Sequence, residues 1–225
     1  MSRLGRPRLH LRSIGSTNAR ARELAQAGAP HGTAVTADEQ TAGRGRQGRG
    51  WATPPGSALA VSLVIRDPDP LLSLRAGLAV ADLAGARALV KWPNDVLVDG
   101  RKVAGVLVEG HLQEGWAVLG IGVNAALDPA VLPDEVRERA GTLGLDPSQL
   151  PRALGDLLAA LERRLAETQE ETLAALRGLD ALAGRPVRWE GGAGTGAGIA
   201  DDGALLVRGA EGTLHALAAG EVHLG

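Results

Sequence analysis

A two-residue turn, Asp99-Gly100, lies between two runs of β-forming residues at 96–98 and 103–109. Asp-Gly between such runs is the strongest short-range signal of a β-hairpin. A hairpin joins antiparallel strands, whereas parallel strands need a long crossover connection. A second turn at Glu114-Gly115 leads into another β-prone run at 116–123. The main sheet is therefore predicted to be mostly hairpin-connected, which favours an α+β fold over a doubly wound one.

The rest of the chain divides into elements with helical or strand spacing. Short β-prone runs occur at residues 9–12, 33–37, 57–65 and 89–92, and helical patterns occur at 17–27 and 71–84. Leucines recur at helical spacing from 150 to 165 and again from 173 to 179. Beyond Gly184 the chain is glycine-rich with short β runs, which is typical of a small barrel. We predict two domains, residues 1–183 and 184–225.

The amino-acid composition excludes or disfavours several classes of protein. The 225 residues include no cysteine, which excludes a disulfide scaffold, a thiolate metal site and a cysteine nucleophile. The net charge of −2 argues against a surface built throughout for nucleic acid. No run approaches the ~18 apolar residues of a membrane span. Residues 1–12 are basic but lack the apolar stretch of a secretory signal. A cytoplasmic enzyme or binding protein is expected.

Residues 40–50 form a segment rich in glycine and arginine, followed by Trp51. Glycines let the backbone turn tightly and approach a ligand closely. Arg44, Arg46 and Arg49 offer forked donors that suit phosphate or carboxylate. A loop that clamps a nucleotide and a flexible segment that touches nucleic acid both remain open from these residues alone. The segment matches neither a P-loop nor a dinucleotide-binding fingerprint.

A second cluster, Lys91-Trp92-Pro93-Asn94-Asp95, follows a predicted strand. Asp95 is a candidate Mg²⁺ ligand, since Mg²⁺ on a nucleotide usually needs one or two carboxylates. Composition alone favours a simple turn at Pro-Asn-Asp. However, Lys91 and Lys102 are the two lysines among 24 basic residues, and both lie in this hairpin region. A compact ammonium, which the planar guanidinium of arginine cannot imitate, is therefore a candidate requirement here.

Gly120, Gly122 and Asn124 are spaced two residues apart, so in a strand they share one face. Interior glycines often mark the close approach of a ligand or of another backbone. A flat pocket floor and close packing against a helix are equally compatible with this spacing. The five histidines are scattered without metal-ligand spacing.

Taken together, these stretches resemble the biotin protein ligase family. The resemblance rests on Ser16-Thr17-Asn18 and on the segments 38–51, 91–95, 101–110 and 120–124, in that order. Gly220-Glu221-Val222 also resembles part of the small C-terminal domain of the family. The resemblance implies a mixed sheet with flanking helices, like that of class II aminoacyl-tRNA synthetases, followed by a small SH3-like β-barrel.

The resemblance also implies a reaction in two steps. The carboxylate of biotin attacks the α-phosphate of ATP and gives biotinyl-5′-AMP and pyrophosphate, with Mg²⁺ as the partner ion. A lysine of a biotin carboxyl carrier protein, or of such a domain in acetyl-CoA carboxylase, then takes the biotinyl group and releases AMP. Two anions must meet in the first step, so cationic groups are needed there.

The resemblance assigns roles to individual residues. The predicted catalytic residues are Lys102, Arg44 and Arg46. The predicted biotin-binding residues are Ser16, Thr17, Asn18, Gln40, Gly43, Gly105, Gly120 and Gly122. The predicted nucleotide-binding residues are Trp51, Lys91, Asn94 and Asn124, and Asp95 is the predicted metal ligand.

Three further expectations concern partners. Repressor-type members of the family carry an N-terminal winged helix-turn-helix, and 15 residues before Ser16 are too few for one. We therefore expect a monofunctional enzyme without specific DNA binding or membrane contact, and monomer and homodimer both remain open. Lipoate–protein ligase is the nearest alternative, and a nucleic-acid-binding module that uses the arginine loop is the alternative from another class.

Overall fold

The fold is described from a computed structural model that covers residues 4–51, 54–111 and 114–225. Its main feature is a seven-stranded sheet with the strand order β1-β2-β3-β7-β6-β5-β4. The strands are β1 (Arg8–Ile14), β2 (Ala34–Gln40), β3 (Leu59–Arg66), β4 (Ala88–Lys91), β5 (Asp95–Val98), β6 (Arg101–His111) and β7 (Trp116–Val123).

Strand pairing in this sheet is mostly antiparallel. Only β1 and β2 pair in parallel among these strands, and α1 (Thr17–Gln26) connects them. The predicted hairpin joins β5 to β6, and Asp99 and Gly100 have φ values of +51° and +77°. Positive φ at both central residues is what a type I′ turn requires. The predicted α+β organisation is therefore confirmed.

Helices cover the two faces of the sheet unequally. On one face, α2 (Leu72–Ala84) packs against α4 (Leu150–Ala166), and α5 (Gln169–Gly178) also contacts α2. The main core lies here, with Leu63, Leu78 and Leu119 fully buried. On the other face, α1 forms a small second core with Val64 and other residues. Among the described residues no helix covers the rest of this face, which forms the floor of a cleft.

The C-terminal residues form a second, five-stranded antiparallel sheet with the order β11-β10-β9-β8-β12. Its strands are β8 (Pro186–Trp189), β9 (Gly192–Ile199), β10 (Leu205–Arg208), β11 (Leu214–Leu217) and β12 (Val222–Leu224). In the described residues β11 and β12 are its two edges, so the pairings do not close into the predicted barrel. Trp92 Nε1 donates to the carbonyl of Gly203 at 3.1 Å and joins this sheet to the larger one.

Several boundaries differ from the sequence prediction. The first strand extends to Ile14 because its backbone pairs with β2 along the whole length. The strand predicted at 89–92 ends at Lys91, where the Trp92-Pro93 peptide bond is cis and the chain turns. Strand β12 and the one-turn helix α3 (Asp134–Arg137) lack a local pattern long enough to predict them. No helix in the described ranges is both long and apolar enough to cross a membrane.

Candidate active site

The floor of the cleft is a strip of small residues on three adjacent strands. Gly122 of β7 lies opposite Ala60 of β3 and Gly105 of β6, and Gly120 lies opposite Ser62 of β3. Because side chains alternate between the faces of a strand, all five positions point to the same side. A Cβ atom at Gly122 would lie 2.5 Å from the Trp51 ring, and one at Gly120 would collide with Asn18. The two glycines therefore allow Trp51 and Asn18 of α1 to approach the sheet closely, and both glycines also line the cleft.

One end of the cleft is a cluster of buried polar side chains at the start of α1. Ser16 is the N-cap, and its hydroxyl accepts a hydrogen bond from the backbone of Ala19. Thr17 donates to Gln40 Oε1 through both its backbone nitrogen and its hydroxyl, at 2.9 Å each. Ser62 Oγ lies 2.8 Å from Thr17 Oγ1 and 2.6 Å from Asn18 Oδ1. This end presents fixed hydrogen-bonding groups for a small polar ligand.

The arginine-rich loop covers the other end of the cleft. It is closed by a short antiparallel bridge between Arg44 and Gly50, and residues 46–48 form a single 3₁₀ turn. Gly43 lies beneath this loop, where its carbonyl accepts a hydrogen bond from Trp51 and a Cβ atom would collide with the Trp51 carbonyl. Gly43 therefore shapes the start of the loop without lining the cleft.

Trp51 lies across the glycine floor. A Cβ atom added at Gly122 or at Gly105 would touch its ring, and Lys102 Nζ lies 5.6 Å from the ring centroid. Its indole nitrogen is buried and has no hydrogen-bond partner among the described residues. An unpaired buried N–H group costs stability unless a ligand satisfies it. That nitrogen lies against the floor at Gly122, so what the indole offers a ligand is the flat surface of its ring.

Lys102 and Asp95 form the most direct ion pair of the cleft. Lys102 Nζ lies 2.6 Å from Asp95 Oδ1, and Lys91 Nζ lies 3.9 Å from Asp95 Oδ2. Burial lowers the pKa of Lys91, and the Asp95 carboxylate opposes this effect only in part. Lys102 and Asp95 line the cleft, whereas Lys91 lies behind Asp95. Both predicted lysines thus belong to one charge cluster, but only Lys102 faces the open space.

The C-terminal residues contact the arginine-rich loop in a way that sequence reasoning did not predict. Arg46 donates to Asn94 Oδ1 at 3.0 Å and to the carbonyl of Gly220 at 2.9 Å. Arg49 forms an ion pair with Glu221. Burial acts to raise the pKa of Glu221, but the hydrogen bond and charge of Arg49 outweigh it, so this pKa is lowered. The arginine loop is therefore connected to both sheets.

Most of the predicted site residues meet in this cleft. The exceptions are Gly43, Lys91 and Asn124. Asn124 is buried and donates through Nδ2 to the carbonyls of Gly141, at 3.0 Å, and Lys102, at 3.4 Å. It therefore supports the backbone next to Lys102 and does not face the cleft. The predicted residues that line the cleft are Ser16, Thr17, Asn18, Gln40, Arg44, Arg46, Trp51, Asn94, Asp95, Lys102, Gly105, Gly120 and Gly122.

Two polar residues beneath the cleft were missed. Ser62 is the one polar residue in a run of apolar residues on β3, and this pattern is a signal that could have identified it. Glu109 accepts from Asn18 Nδ2 at 2.8 Å, although 91 residues separate the two in the chain. No local pattern predicts such a contact.

Asp95 is also the candidate carboxylate ligand for a metal ion. The described residues include no group of three or more His, Asp or Glu side chains that would hold a metal by themselves. Mg²⁺ usually keeps several waters and binds through one or two carboxylates together with substrate phosphates. A single carboxylate such as Asp95, with lysines near both of its oxygens, therefore fits only Mg²⁺ that arrives with a nucleotide.

Comparison with known proteins gives matches along nearly the whole chain. Residues 11–124 match the model of the biotin/lipoate A/B protein ligase family, and residues 184–225 match the biotin protein ligase C-terminal domain. A biotin--[acetyl-CoA-carboxylase] ligase of Paracoccus denitrificans is 37% identical over 93% of this chain and 97% of its own length. The bifunctional ligase/repressor BirA of Bacillus subtilis is 40% identical, and its match covers 58% of this chain and 44% of the relative.

Solved structures agree with these matches. The biotin protein ligase of Aquifex aeolicus, in complex with biotin and ATP, superimposes with a TM-score of 0.82 at 27% identity and covers 98% of this chain and 100% of that one. The mixed sheet and the smaller C-terminal sheet are thus a known combination. On the sequence matches and this fold, the chain belongs to the biotin/lipoate A/B protein ligase family.

Proposed function

We propose that this protein is a biotin–protein ligase. It activates biotin with ATP to biotinyl-5′-AMP and transfers the biotinyl group to a lysine of a carrier protein. The observation that carries the proposal is the arrangement of one continuous cleft, with neutral hydrogen-bonding groups at one end and cations at the other. Biotin has the same division, with a polar ring at one end and a carboxylate at the other.

The neutral end suits the polar ring of biotin. Thr17, Asn18 and Gln40 are held by hydrogen bonds among themselves and to Ser62. They therefore need little reorganisation to bind a ligand, which favours tight binding. The apolar part of the molecule is proposed to pack beside the ring of Trp51, which lies across the glycine floor.

The cationic end suits the reacting groups. The carboxylate of biotin and the α-phosphate of ATP are both negative, and their repulsion must be reduced for the attack to occur. Lys102, Arg44 and Arg46 line this end of the cleft. Activation then depends on position and charge, with no side-chain nucleophile.

Asp95 would hold Mg²⁺ that arrives with ATP, and the ion would neutralise phosphate charge. Trp51 and Asn94 are the proposed contacts of the adenylate. Lys91 acts from behind Asp95 as part of the same charge cluster.

The carrier is proposed from the name of the Paracoccus denitrificans relative, a biotin--[acetyl-CoA-carboxylase] ligase. We propose a biotin carboxyl carrier protein or domain as the acceptor, in the cytoplasm, where ATP and this carrier occur together. Residues 1–183 and 184–225 are proposed as the two domains, and an association of two copies remains compatible with the proposal.

The adenylation half of the proposal can be tested without a carrier. Exchange of labelled pyrophosphate into ATP should depend on biotin and should be absent with lipoate. Exchange that depends on lipoate would assign the protein to the other branch of the family. A lack of exchange with either acid, in a protein that unfolds cooperatively, would contradict the proposal.

A further inference from the structure

Glu109 lies beneath the neutral end of the cleft, outside the set of residues that line it. Its carboxylate accepts a hydrogen bond from Asn18 Nδ2 at 2.8 Å through one oxygen. Its other oxygen lies 2.6 Å from Arg22 Nη2. Asn18 and Arg22 are four residues apart on α1, so both side chains reach the same point on β6. Glu109 thus connects the helix that carries the neutral end to the sheet beneath it.

This contact determines which way the Asn18 carboxamide faces. The two ends of an amide have nearly the same shape, and their hydrogen-bond partners decide the orientation. A carboxylate only accepts hydrogen bonds, so the NH₂ group of Asn18 must face Glu109. The oxygen then faces Ser62 at 2.6 Å and lies against the backbone of Gly120.

The orientation of Asn18 in turn determines where the proton of Ser62 goes. The side-chain groups of Thr17, Gln40, Ser62 and Asn18 make three close contacts, and the two hydroxyl groups have only two protons between them. Asn18 Oδ1 has no proton, so the contact at 2.6 Å takes the proton of Ser62. Thr17 donates its own proton to Gln40 Oε1 and keeps its lone pairs as acceptors.

We propose that Glu109 is a positioning residue for biotin. It keeps the Asn18 oxygen toward Ser62, and through Ser62 it keeps Thr17 Oγ1 available as an acceptor for an N–H group of the biotin ring. This inference rests on the proposed function, because it assumes that Thr17 and Asn18 contact biotin. Arg22 keeps the carboxylate in place but does not touch the cleft.

The substitution Glu109→Gln should reverse the orientation of the Asn18 carboxamide and, with it, the direction of the Ser62 hydrogen bond. The positive charge of Arg22 attracts the oxygen of the new carboxamide, so the NH₂ group of that carboxamide faces Asn18. Asn18 then turns its oxygen toward this NH₂ group and its own NH₂ group toward Ser62. The proton of Ser62 moves to Thr17 Oγ1, which loses one of its two acceptor positions.

The experiment compares Glu109→Gln, Arg22→Met and the double variant with the wild-type enzyme in steady-state adenylation. Glu109→Gln should raise the KM for biotin about tenfold, the effect of one lost hydrogen bond, with little change in kcat or in the KM for ATP. The double variant should recover most of the biotin affinity, since without Arg22 the new carboxamide can present its oxygen to Asn18. Glu23→Gln, which breaks the exposed Arg20–Glu23 pair on the same helix, is the matched control and should have no effect.

Each outcome decides the proposal. An unchanged KM for biotin in Glu109→Gln, or a double variant no better than Glu109→Gln, would overturn it, because a merely structural ion pair predicts no recovery. If Glu109→Gln does not fold, Asn18→Ala tests the same path: without the Asn18 oxygen the proton of Ser62 turns to Thr17 Oγ1, which should raise the KM for biotin, and an unchanged value would overturn the proposal. A wild-type protein that binds lipoate or no acid at all would instead reject the proposed function before any variant is compared.

Discussion

At the scale of single residues, Lys102 occupies a position that suits a compact cation. Its Nζ lies 2.6 Å from Asp95, and a Cβ atom at Gly105 would lie only 3.3 Å from it. The ring of Trp51 lies on a further side, at 5.6 Å. A planar guanidinium is wider than an ammonium and cannot take the same place without moving these neighbours.

Lys102→Ala should lower kcat for adenylation about 100- to 1,000-fold, the usual effect of removing one group that stabilises charge in a transition state. Lys102→Arg should also be poor, because arginine does not fit the position. Pyrophosphate exchange measures both, and Arg87→Ala, which breaks an exposed pair with Asp99, is the control. Near-normal exchange in Lys102→Arg would show that a compact ammonium is not required.

Gly122→Val tests the floor of the cleft. The first atom of the new side chain would lie 2.5 Å from the Trp51 ring, so the indole must leave the floor. Calorimetry should then show that biotin binding is lost, whereas thermal unfolding should change much less. Leu119→Ile alters the core-facing side of the same strand, outside the cleft, and should leave binding intact. Biotin affinity that stays unchanged in Gly122→Val would place the biotin site elsewhere.

At the scale of elements, the arginine-rich loop should depend on ligand for its order. Fixing a residue of a glycine-rich loop costs on the order of 1 kcal/mol or more, and an anionic ligand can offset this cost through Arg44 and Arg46. Trypsin should therefore cleave after Arg44, Arg46 or Arg49 rapidly in the free enzyme and slowly with biotin and ATP. Equal rates with and without ligands would mean that the contacts to Asn94 and Gly220 already hold the loop.

Elements with a local signal were predictable. The β5–β6 hairpin follows from Asp99-Gly100, since few residue pairs adopt positive φ at both turn positions. Helix α4 follows from the spacing of its leucines. Strand β12 has three residues, and it exists because it pairs with β8, so its own residues carry little information.

The site residues, too, were predictable only where a local sequence pattern determines their position. Gly120 and Gly122 were predictable because alternation along one strand determines the face they share. The ion pair between Arg49 and Glu221 could not be predicted from the sequence. The two residues lie 172 positions apart, and only the packing of the two sheets brings them together. Asn124 shares the spacing of the glycines, but it follows the last residue of β7, where the chain turns away and its side chain meets Gly141.

At the scale of the whole molecule, Glu221, just before β12, connects the C-terminal residues to the arginine-rich loop. Arg49 pairs with Glu221, and Arg46 donates to the carbonyl of Gly220. The lowered pKa of Glu221 means that the pair stabilises the folded form above the ordinary glutamate pKa of 4.5. This contribution is lost as the pH falls through the lowered value.

Glu221→Gln should therefore reduce kcat/KM for ATP about two- to fivefold, in line with a partly exposed ion pair. The difference from the wild type should be present at neutral pH and should disappear at acidic pH, where wild-type Glu221 also loses its charge. Glu211→Gln changes an exposed residue in the turn between β10 and β11 and is the matched control. A Glu221→Gln enzyme that matches the wild type at neutral pH would show that the two sheets act independently.

The central claim is that one cleft carries out both activation and transfer. The most direct measurement is the mass of a biotin carboxyl carrier domain after incubation with the protein, ATP, Mg²⁺ and biotin. We expect the carrier to gain one biotinyl group on its acceptor lysine, and we expect no gain with Lys102→Ala or without ATP. A carrier whose mass does not change with the wild-type protein, while pyrophosphate exchange with biotin proceeds, would contradict the claim of transfer.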